Sequence, residues 1–390
     1  MVNFTNIQVA FKPRTNYELK RAKWLFVMVS KSWLVWLGEK AVNTALWLHF
    51  PIGWAVKPTI FKQFVGGETL EECSLVAQKL YESGVFSILD YSVEGESSEN
   101  ERSKTFNEIV NTIHFASGKP YIPFAVFKPS GLVDIAILEK VERGDTLTKQ
   151  EASDYELFQS RVDKICNFAH SNNVPVLVDA EETWYQKPID ELLIHLMEKY
   201  NKEKAIVFNT LQMYRHDRLD FLKTIHAKAT EGKYFLGIKL VRGAYMEKER
   251  ERALKLGYPS PINSTKNSTD NLFNAAVDYC VRNIDSISVF CGSHNEDSNM
   301  LLVKLIDEMK ISSNDNRAFF SQLYGMSDHI SFNLAANGYN VAKYVPFGSV
   351  REVMPYLIRR ARENTSVKGQ TGRELSLLKQ ELIRRKNNSK

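Results

Sequence analysis

Eight short runs of apolar residues recur along the chain, and each run is apolar at both alternating positions. Such runs are typical of parallel strands buried on both faces, and the intervening chain is long enough for helices. The runs are Val85–Leu89, Tyr121–Phe127, Val174–Val178, Ile206–Phe208, Phe235–Val241, Ile287–Phe290, Phe319–Ser321 and Val341–Val345. Eight units within about 300 residues predict an α/β fold of the (β/α)8 TIM-barrel type, with an open doubly wound sheet as the alternative.

Polar residues or glycine follow every run. The loops at the carboxyl ends of the strands build the active site in a barrel of this type, so these residues are predicted to converge. They are Asp90, Glu94, Lys128, Asp179, Glu181, Glu182, Gln212, Arg242, Gly243, Tyr245, Ser293, His294, Asn295, Gln322 and Tyr344.

Two segments near strand ends suit an anionic ligand. In LVRGAY, the missing Cβ of Gly243 lets a flat or phosphorylated ligand approach the backbone, and Arg242 can neutralise phosphate; the alternative is an ordinary strand-to-helix turn. Beyond the last run, a capping box predicts a helix with a kink or new start at Pro355. Its adjacent Arg359 and Arg360 suit a carboxylate or phosphate, and the alternative is a solvated basic face.

The charge of +5 is concentrated at the two ends. Residues 12–23 and 379–390 each carry five basic side chains and one acidic one, whereas the middle is slightly acidic. This distribution disfavours nucleic-acid binding but suits contact with an anionic membrane surface. The four cysteines lack CxxC pairing and metal-ligand spacing, so we expect neither a disulfide framework nor a metal site. Without GxGxxG, P-loop, HExxH or GxSxG motifs, the classes of protein that carry them are disfavoured.

The segment from Trp24 to Val56 holds five of the six tryptophans and predicts amphipathic helices. No apolar run in it reaches the ~20 residues that span a bilayer. Its aromatic face either packs on the main domain or rests on a membrane interface. The N-terminus has no apolar region of a secretory signal, so we expect a cytoplasmic protein with peripheral contact at the inner membrane; its basic start leaves an organellar transit peptide open.

We therefore expect three regions: an N-terminal helical segment (1–60), a catalytic barrel (61–375) and a basic C-terminal tail (376–390).

Five segments together resemble the proline dehydrogenase family, in the family's order and on the predicted strand ends. They are VDAEETWYQ, KLVRGAYMEKERE, SHNEDS, QLYGMSD and KYVPFG…PYLIRRARENTSVKG. The resemblance spans Phe64 to Arg385 and is closest to the single-function branch; 390 residues leave no room for the fused aldehyde dehydrogenase domain of bifunctional members.

The resemblance implies a distorted (β/α)8 barrel that binds FAD non-covalently. It also implies oxidation of L-proline to Δ1-pyrroline-5-carboxylate by hydride transfer to flavin N5, the first step of proline catabolism to glutamate. Electrons would pass to a quinone, and pyrroline-5-carboxylate dehydrogenase would act downstream. The alternatives are a hydroxyproline dehydrogenase and a non-catalytic flavin-binding barrel.

The resemblance also assigns substrate contacts. Arg359 and Arg360 match the pair that binds the substrate carboxylate, with Lys128 a third cation nearby. Asp179 matches a strand-end aspartate, which among these cations would stay ionised and orient them. Residues matching the walls around the proline ring are Leu240, Tyr245, Tyr344 and Tyr356. At Tyr344, the hydroxyproline-oxidising branch has a smaller residue.

The matching FAD contacts are Gln212, Arg242, Gly243, Ala244, Ser293 and His294, with a backbone contact at Ala180. Lys239, placed with Asp179 in the catalytic group, departs from the arginine of many bacterial members. Because lysine lacks the planar fork of arginine, the resemblance does not decide whether Lys239 donates a hydrogen bond to flavin N5. Glu94 matches a carboxylate that pairs with Arg359, which predicts a gate that closes over bound substrate.

Overall fold

The computed structural model describes residues 2–48, 50–91, 98–366 and 370–388. Its eight strands close into a barrel in chain order. They are β1 (Val85–Tyr91), β2 (Phe124–Phe127), β3 (Val176–Val178), β4 (Val207–Gln212), β5 (Leu236–Val241), β6 (Ile287–Gly292), β7 (Ala318–Leu323) and β8 (Val341–Phe347). The pairs from β2 to β7 are parallel. The predicted (β/α)8 barrel is confirmed, and the open sheet is wrong.

The helices separate and flank the strands. They are α1 (Ile7–Ala10), α2 (Asn16–Val29), α3 (Ser32–Trp47), α4 (Gly53–Val56), α5 (Lys62–Phe64), α6 (Leu70–Tyr81), α7 (Glu99–Ala116), α8 (Ile135–Arg143), α9 (Lys149–Ser171), α10 (Gln186–Tyr200), α11 (Arg218–Gly232), α12 (Met246–Leu256), α13 (Lys266–Arg282), α14 (Glu296–Glu308), α15 (Asp328–Ala336), α16 (Val350–Ser366) and α17 (Gln370–Asn388). The predicted helices of the segment from Trp24 to Val56 are therefore present.

Two strand boundaries differ from the apolar runs for physical reasons. β2 begins only at Phe124, because Pro123 just before it has no N–H to donate to a strand ladder. β4 extends beyond Phe208 into polar residues that find buried partners. Asn209 Nδ2 donates to Asp190 Oδ1 at 3.0 Å, and Thr210 Oγ1 donates to the Val178 carbonyl at 2.6 Å. Buried polar side chains are tolerated in a strand when they are hydrogen-bonded.

The chain divides into two compact units. Unit 1 comprises Met1–Ser92, Gln322–Gly338 and Lys343–Lys390, and unit 2 comprises Val93–Ser321 and Tyr339–Ala342. In unit 2, the ring of Phe124 lies 5.6, 5.2 and 4.9 Å from the rings of Phe208, Phe290 and Phe319. These four side chains come from β2, β4, β6 and β7, so the core of unit 2 is filled by aromatic rings.

The core of unit 1 joins helices that lie far apart in sequence. Leu19 and Phe26 of α2, Leu357 of α16 and Leu377 of α17 are buried in one apolar cluster. Arg385 of α17 donates to the carbonyls of Phe11 and Arg14, at 2.7 and 2.8 Å. The two basic ends of the chain therefore meet in this unit. No helix in the described ranges is both long enough and apolar enough to cross a membrane.

α16 follows β8 and begins as the sequence predicts. Ser349 N donates to Glu352 Oε2 at 2.9 Å, and Glu352 N donates to Ser349 Oγ at 3.4 Å, which forms the predicted capping box. The helix continues through Pro355 without a new start. Because Arg351 is exposed, water can satisfy the carbonyl four residues back that loses its helical partner.

Candidate active site

The parallel pairing of β2 to β6 places the carboxyl ends of these strands along one edge of unit 2. Most of the candidate residues of this unit lie at or just beyond those ends. They are Lys128 after β2, Asp179 and Ala180 after β3, Gln212 in β4, Lys239 and Leu240 in β5, Arg242, Gly243, Ala244 and Tyr245 after β5, and Ser293 and His294 after β6. Tyr344, Tyr356, Arg359 and Arg360 belong to unit 1.

A carboxylate paired with two ammonium groups lies at this edge. Lys239 Nζ donates to Asp179 Oδ1 at 2.5 Å, and Lys128 Nζ lies 3.7 Å from Asp179 Oδ2. The two lysine side chains are largely buried, whereas that of Asp179 keeps 17% of its surface exposed. The Asp179 backbone N–H donates to the Phe127 carbonyl at 3.0 Å, which fixes the strand end that carries the carboxylate. The three side chains form an oriented, partly open charged group with one net positive charge.

A second carboxylate, Glu181, lies deeper. Its two oxygens accept hydrogen bonds from the backbone N–H of Ser130, at 2.8 Å, and from the Ser130 hydroxyl. Burial raises the pKa of Glu181 to about 8. The sequence placed Glu181 at a strand end but gave it no role, because nothing in the pattern showed that it would be buried. Its backbone is also held, since the Gln212 side chain donates to the Glu181 carbonyl at 2.6 Å.

The Arg242 guanidinium is held on three sides. Its Nε donates to Asp270 Oδ1 at 2.7 Å, Nη1 donates to Ser293 Oγ at 2.8 Å and Nη2 donates to Ser298 Oγ at 2.9 Å. The guanidinium also lies over the Phe273 ring, 4.5 Å from its centroid. Sequence reasoning paired Arg242 with Ser293 as contacts of one ligand but missed Asp270 and Ser298. These two side chains lie on α13 and α14, and no local motif signals that they meet the end of β5.

The turn after β5 depends on a glycine at Gly243. Its φ is +127°, and a Cβ at this position would lie 2.6 Å from ring atoms of Tyr214. The backbone N–H of the next residue, Ala244, points toward Gln212 Oε1 at 3.4 Å. Tyr245 and Leu240 are buried. The Tyr214 ring therefore already requires a glycine at this position, and the approach of a ligand to Gly243 stays a prediction.

Two candidates of unit 2 are only partly buried. Ala180 and His294 both lie in loops directly after strands and keep some exposed surface. Ser293, which precedes His294, is buried, and its backbone N–H donates to the Ser321 carbonyl at 3.0 Å. Both loops therefore remain partly exposed at the carboxyl ends of the strands.

The candidates of unit 1 lie on β8 and α16. Tyr344 is buried in β8, and its carbonyl accepts from the Tyr324 backbone N–H at 2.8 Å. On α16, the Arg360 guanidinium lies 5.3 Å from the centroid of the Tyr356 ring, and Arg360 Nη2 donates to Glu363 Oε1 at 2.6 Å. Arg359 is partly exposed on the same helix. The Arg360–Glu363 contact is an i,i+3 ion pair within α16.

The Tyr356 phenol and the neighbouring Asp90 form a buried polar patch in unit 1. Burial raises the pKa of Tyr356 to about 12, and the nearby Asp90 carboxylate acts in the same direction. Asp90 lies near the end of β1 and is itself buried. The sequence placed Asp90 among the strand-end residues but gave it no role beside Tyr356.

Two further expectations concern Glu94 and metals. Glu94, the predicted gate residue, lies outside the described residues. Across the described ranges, no group of three or more histidine, cysteine or acidic side chains is arranged to hold a metal ion. All four cysteines are buried thiols without a disulfide.

Comparison with known proteins identifies the chain's relatives. The sequence pattern of the family described as proline dehydrogenase matches residues 74–373. The carbapenem antibiotics biosynthesis protein CarD of Pectobacterium carotovorum subsp. carotovorum is 35% identical, over 83% of this chain and 83% of that protein. Proline dehydrogenase 1, mitochondrial, of Dictyostelium discoideum is 36% identical, over 87% and 67%. Hydroxyproline dehydrogenase of Xenopus laevis is 30% identical, over 96% and 88%.

Solved structures agree on the fold. The crystal structure of proline utilization A (PutA) from Bdellovibrio bacteriovorus superposes with a TM-score of 0.73 at 21% identity, covering 84% of this chain and 36% of that longer one. At this identity, the superposition supports the barrel fold alone. The family match covers well over half of the chain, in the region that contains the strand-end cluster and α16. The chain belongs to the proline dehydrogenase family of oxidoreductases.

Proposed function

We propose that this protein is an FAD-dependent L-proline dehydrogenase that produces Δ1-pyrroline-5-carboxylate. The observation that carries the proposal is the strand-end cluster of Lys128, Asp179 and Lys239 in a barrel of this family. Two cations and one carboxylate in a partly open, low-dielectric group are suited to hold a zwitterionic amino acid and to keep it oriented. The product would be consumed by pyrroline-5-carboxylate dehydrogenase on the way to glutamate.

The donors of unit 2 fit a flavin dinucleotide. Arg242 and Ser293 offer charge and a hydroxyl suited to pyrophosphate, while Gln212 and Lys239 offer an amide and an ammonium suited to the polar edge of the flavin ring. Gly243, with its positive φ, shapes the turn after β5, and its backbone would lie beside the flavin dinucleotide. Ala244, His294 and the Ala180 backbone would complete this set. When bound, FAD would accept the hydride that leaves the proline ring carbon beside the nitrogen.

The remaining roles belong to this chain's own side chains. Arg359 and Arg360 would hold the substrate carboxylate by bidentate hydrogen bonds, with Lys128 adding positive charge. Asp179 would orient the two lysines. Leu240, Tyr245, Tyr344 and Tyr356 would surround the apolar edge of the proline ring. A Glu94–Arg359 pair would close over the substrate and exclude water.

Electrons would leave the enzyme to a quinone at a membrane surface. Support for such contact comes from the exposed tryptophans of unit 1, Trp33, Trp36, Trp47 and Trp54, which lie near the basic N-terminal segment in the chain. Tryptophan is enriched where a polar and an apolar phase meet. We therefore infer a protein that contacts the inner membrane peripherally from the cytoplasmic side.

The colour of the purified protein tests the proposal. We expect a yellow protein whose flavin absorbance is lost anaerobically with L-proline and not with D-proline. A yellow protein that both L-proline and trans-4-hydroxy-L-proline leave oxidised would instead favour a non-catalytic flavin-binding barrel. A colourless protein that gains no colour with added FAD would overturn both.

A second candidate, hydroxyproline oxidation, is favoured by the Xenopus laevis relative, which matches 96% of this chain. We expect Tyr344 to oppose it, because this buried tyrosine would lie beside the substrate ring and leave little room for an added hydroxyl. Packing conflicts of this kind cost on the order of 1–3 kcal/mol. We expect Tyr344→Ser to lower kcat/KM for proline and to narrow or reverse the preference over trans-4-hydroxy-L-proline. Equal wild-type turnover of both substrates, or an unchanged ratio in the variant, would reopen this candidate.

A further inference from the structure

A cavity of about 390 Å³ in unit 1 contains none of the candidate site residues. Its walls come from α2, from the chain between Lys57 and Gly67, from α6 and from the chain around Tyr324 that follows β7. Apolar side chains of the lining include Phe61, Val65, Leu80 and Phe332. The volume suits a small organic molecule, since ligand pockets measure about 300–1,000 Å³.

Cations outnumber carboxylates around this cavity, five to three. The cations are Arg14, Arg21, Lys57, Lys62 and Lys79, and the carboxylates are Glu18, Glu68 and Glu72. Three cations have a carboxylate partner: Arg14 pairs with Asp328, Lys57 with Glu68 and Lys79 with Glu18. Glu72 Oε2 accepts the Glu68 backbone N–H at 2.7 Å. Arg21 and Lys62 have no ion pair with any residue that the structure describes.

Arg21 is the cation of this cavity with a buried donor that lacks an acceptor among the described residues. The guanidinium is partly buried, and Nε is fully buried with no hydrogen-bond acceptor among the described residues. Its Nη2 lies 3.5 Å from the Lys62 carbonyl, which is the upper limit for a hydrogen bond. Burial and the neighbouring Arg14 lower the pKa of Arg21. A partly buried guanidinium whose Nε lacks an acceptor favours the approach of a further anionic group.

The wall formed by Gly66 and Gly67 is fixed to the end of β8 by backbone contacts. Gly66 N donates to the Pro346 carbonyl at 2.9 Å, and Gly67 forms a parallel bridge with Phe347 at the end of β8. A Cβ at Gly66 would lie 2.4 Å from Val345 Cγ1, so the backbone can pack this closely only at glycine. The cavity is therefore formed by ordered elements before any ligand arrives, which lowers the free energy cost of binding.

We propose that this cavity binds a small organic oxyanion, a phosphate or carboxylate carried on an apolar body, with Arg21 as the principal donor. The anionic group would pair with the Arg21 guanidinium, with Lys62 adding positive charge at the open side. The apolar body would lie against Phe61, Val65 and Leu80. Paired donors on a planar guanidinium match the oxygens of phosphate and carboxylate. This site is independent of the proposed proline oxidation.

Binding is tested with three probes at constant ionic strength, set with sodium chloride. The probes are inorganic phosphate, n-hexyl phosphate and hexanoate, and the readouts are calorimetric Kd and the shift in Tm. We expect n-hexyl phosphate to bind about tenfold or more tightly than inorganic phosphate, because its alkyl chain also contacts the apolar side chains of the lining. Arg21→Met should weaken binding about tenfold or more, and Arg21→Lys should weaken it less. Lys20→Met, at the preceding exposed position of α2, is the matched control and should bind as the wild type does.

A second variant guards against a folding defect in the first. Val76→Trp places an indole into the cavity from α6 and should abolish binding while Arg21 stays in place. Proline turnover should be unchanged in both variants.

Vesicles containing phosphatidic acid distinguish a lipid headgroup from a free metabolite. If the protein sediments with these vesicles and Arg21→Met prevents it, the oxyanion belongs to a lipid. If the protein binds n-hexyl phosphate but does not sediment with the vesicles, the ligand is a free molecule. Wild-type protein that binds no probe and no vesicle overturns the proposal, as does binding that survives both Arg21→Met and Val76→Trp.

Discussion

At the residue scale, charged groups of unit 2 are held by several partners each. Asp179 has one ammonium group on each oxygen, and Arg242 is held by one carboxylate and two hydroxyls. Such groups need little reorganisation when a charged ligand arrives, because their orientation is already set. In the proposed reaction, this preorganisation would align the substrate rather than move protons.

The arginine pair of α16 gives the first prediction. If Arg359 and Arg360 hold the substrate carboxylate, Arg359→Met or Arg360→Met should cost roughly 2–4 kcal/mol of transition-state stabilisation, with FAD still bound. Steady-state kcat/KM for proline and the flavin absorbance of each variant measure the two effects. Arg351→Met, at an exposed position of the same helix, is the control. Unchanged kcat/KM in both variants would rule out a carboxylate-binding role.

Glu181 gives a prediction about pH. Burial raises its folded-state pKa to about 8, above the ~4.3 of an unfolded glutamate, so the folded state binds the proton more tightly. Protonated Glu181 therefore stabilises the folded state. This stabilisation is fully present below about pH 4, and it is lost as the pH rises toward 8 and the folded-state carboxyl group loses its proton. Glu181→Gln mimics the protonated form, since its amide can accept from the Ser130 N–H and donate to the Ser130 hydroxyl. The variant should gain stability over the wild type as the pH rises.

Urea unfolding at pH 5, 7 and 9 measures this difference. We expect the advantage of Glu181→Gln to grow by on the order of 2–4 kcal/mol between pH 5 and 9. Glu308→Gln, an exposed change on α14 of the same unit, should show no such trend. A constant difference between Glu181→Gln and wild type across this pH range would mean that Glu181 is ionised in the folded protein.

At the element scale, the turns after the strands determine which chemical groups lie at the carboxyl ends of the strands. The turn after β5 combines a positive φ at Gly243 with close packing of the Tyr214 ring. The Tyr214 backbone N–H also donates to the Arg242 carbonyl at 2.7 Å, so the β4 and β5 loops are joined at this point. Changes in one loop should therefore displace the other.

Gly243→Ala tests this element. The backbone strain costs roughly 1–3 kcal/mol, and the new methyl group also collides with Tyr214. We expect lower stability and lower FAD content. In a Tyr214→Ala background, the added cost of Gly243→Ala should fall to the backbone part alone, and a double-mutant cycle on the free energy of unfolding measures the difference. Equal costs in both backgrounds would show that the ring does not restrict this turn.

At the scale of the whole molecule, unit 1 carries both basic ends and the exposed tryptophans. α17 packs against α2 in its core, and Arg385 ties the two ends together through hydrogen bonds to the carbonyls of Phe11 and Arg14. The cationic surface predicted separately at each end is thus a property of one unit. Anionic lipid attracts such a surface by about 1 kcal/mol per basic residue near it.

Membrane contact is tested by sedimentation with vesicles of neutral and anionic lipid. Binding should increase with the anionic fraction and fall with added salt, because exposed charges are screened. Trp33→Ser with Trp36→Ser should weaken binding severalfold, since both side chains are more than 60% exposed. Leu254→Ser, at an 86% exposed apolar position of unit 2, is the control. Absence of vesicle binding at every salt concentration would rule out membrane contact and favour the alternative that the tryptophan-rich segment packs on the main domain.

The barrel could be predicted because its signal is local and repeated. Eight apolar runs separated by helix-length segments require burial on both faces, and that requirement is written in the order of residues along the chain. The capping box at Ser349 was predictable for the same reason, since its partners are three residues apart. Strand ends such as Asp179, Gln212 and Ser293 could be named as candidates because parallel strands end on one side.

What only the tertiary structure decided is which side chains meet and how deeply they lie. Asp270 and Ser298 reach Arg242 from different helices, and the burial that raises the pKa of Glu181 depends on how neighbouring strands and loops pack. The sequence by itself determined the period of the elements and the kinds of chemical group at their ends. Contacts between distant segments follow from the three-dimensional packing of those elements, and their free energies depend on distance and exposure, which no local pattern encodes.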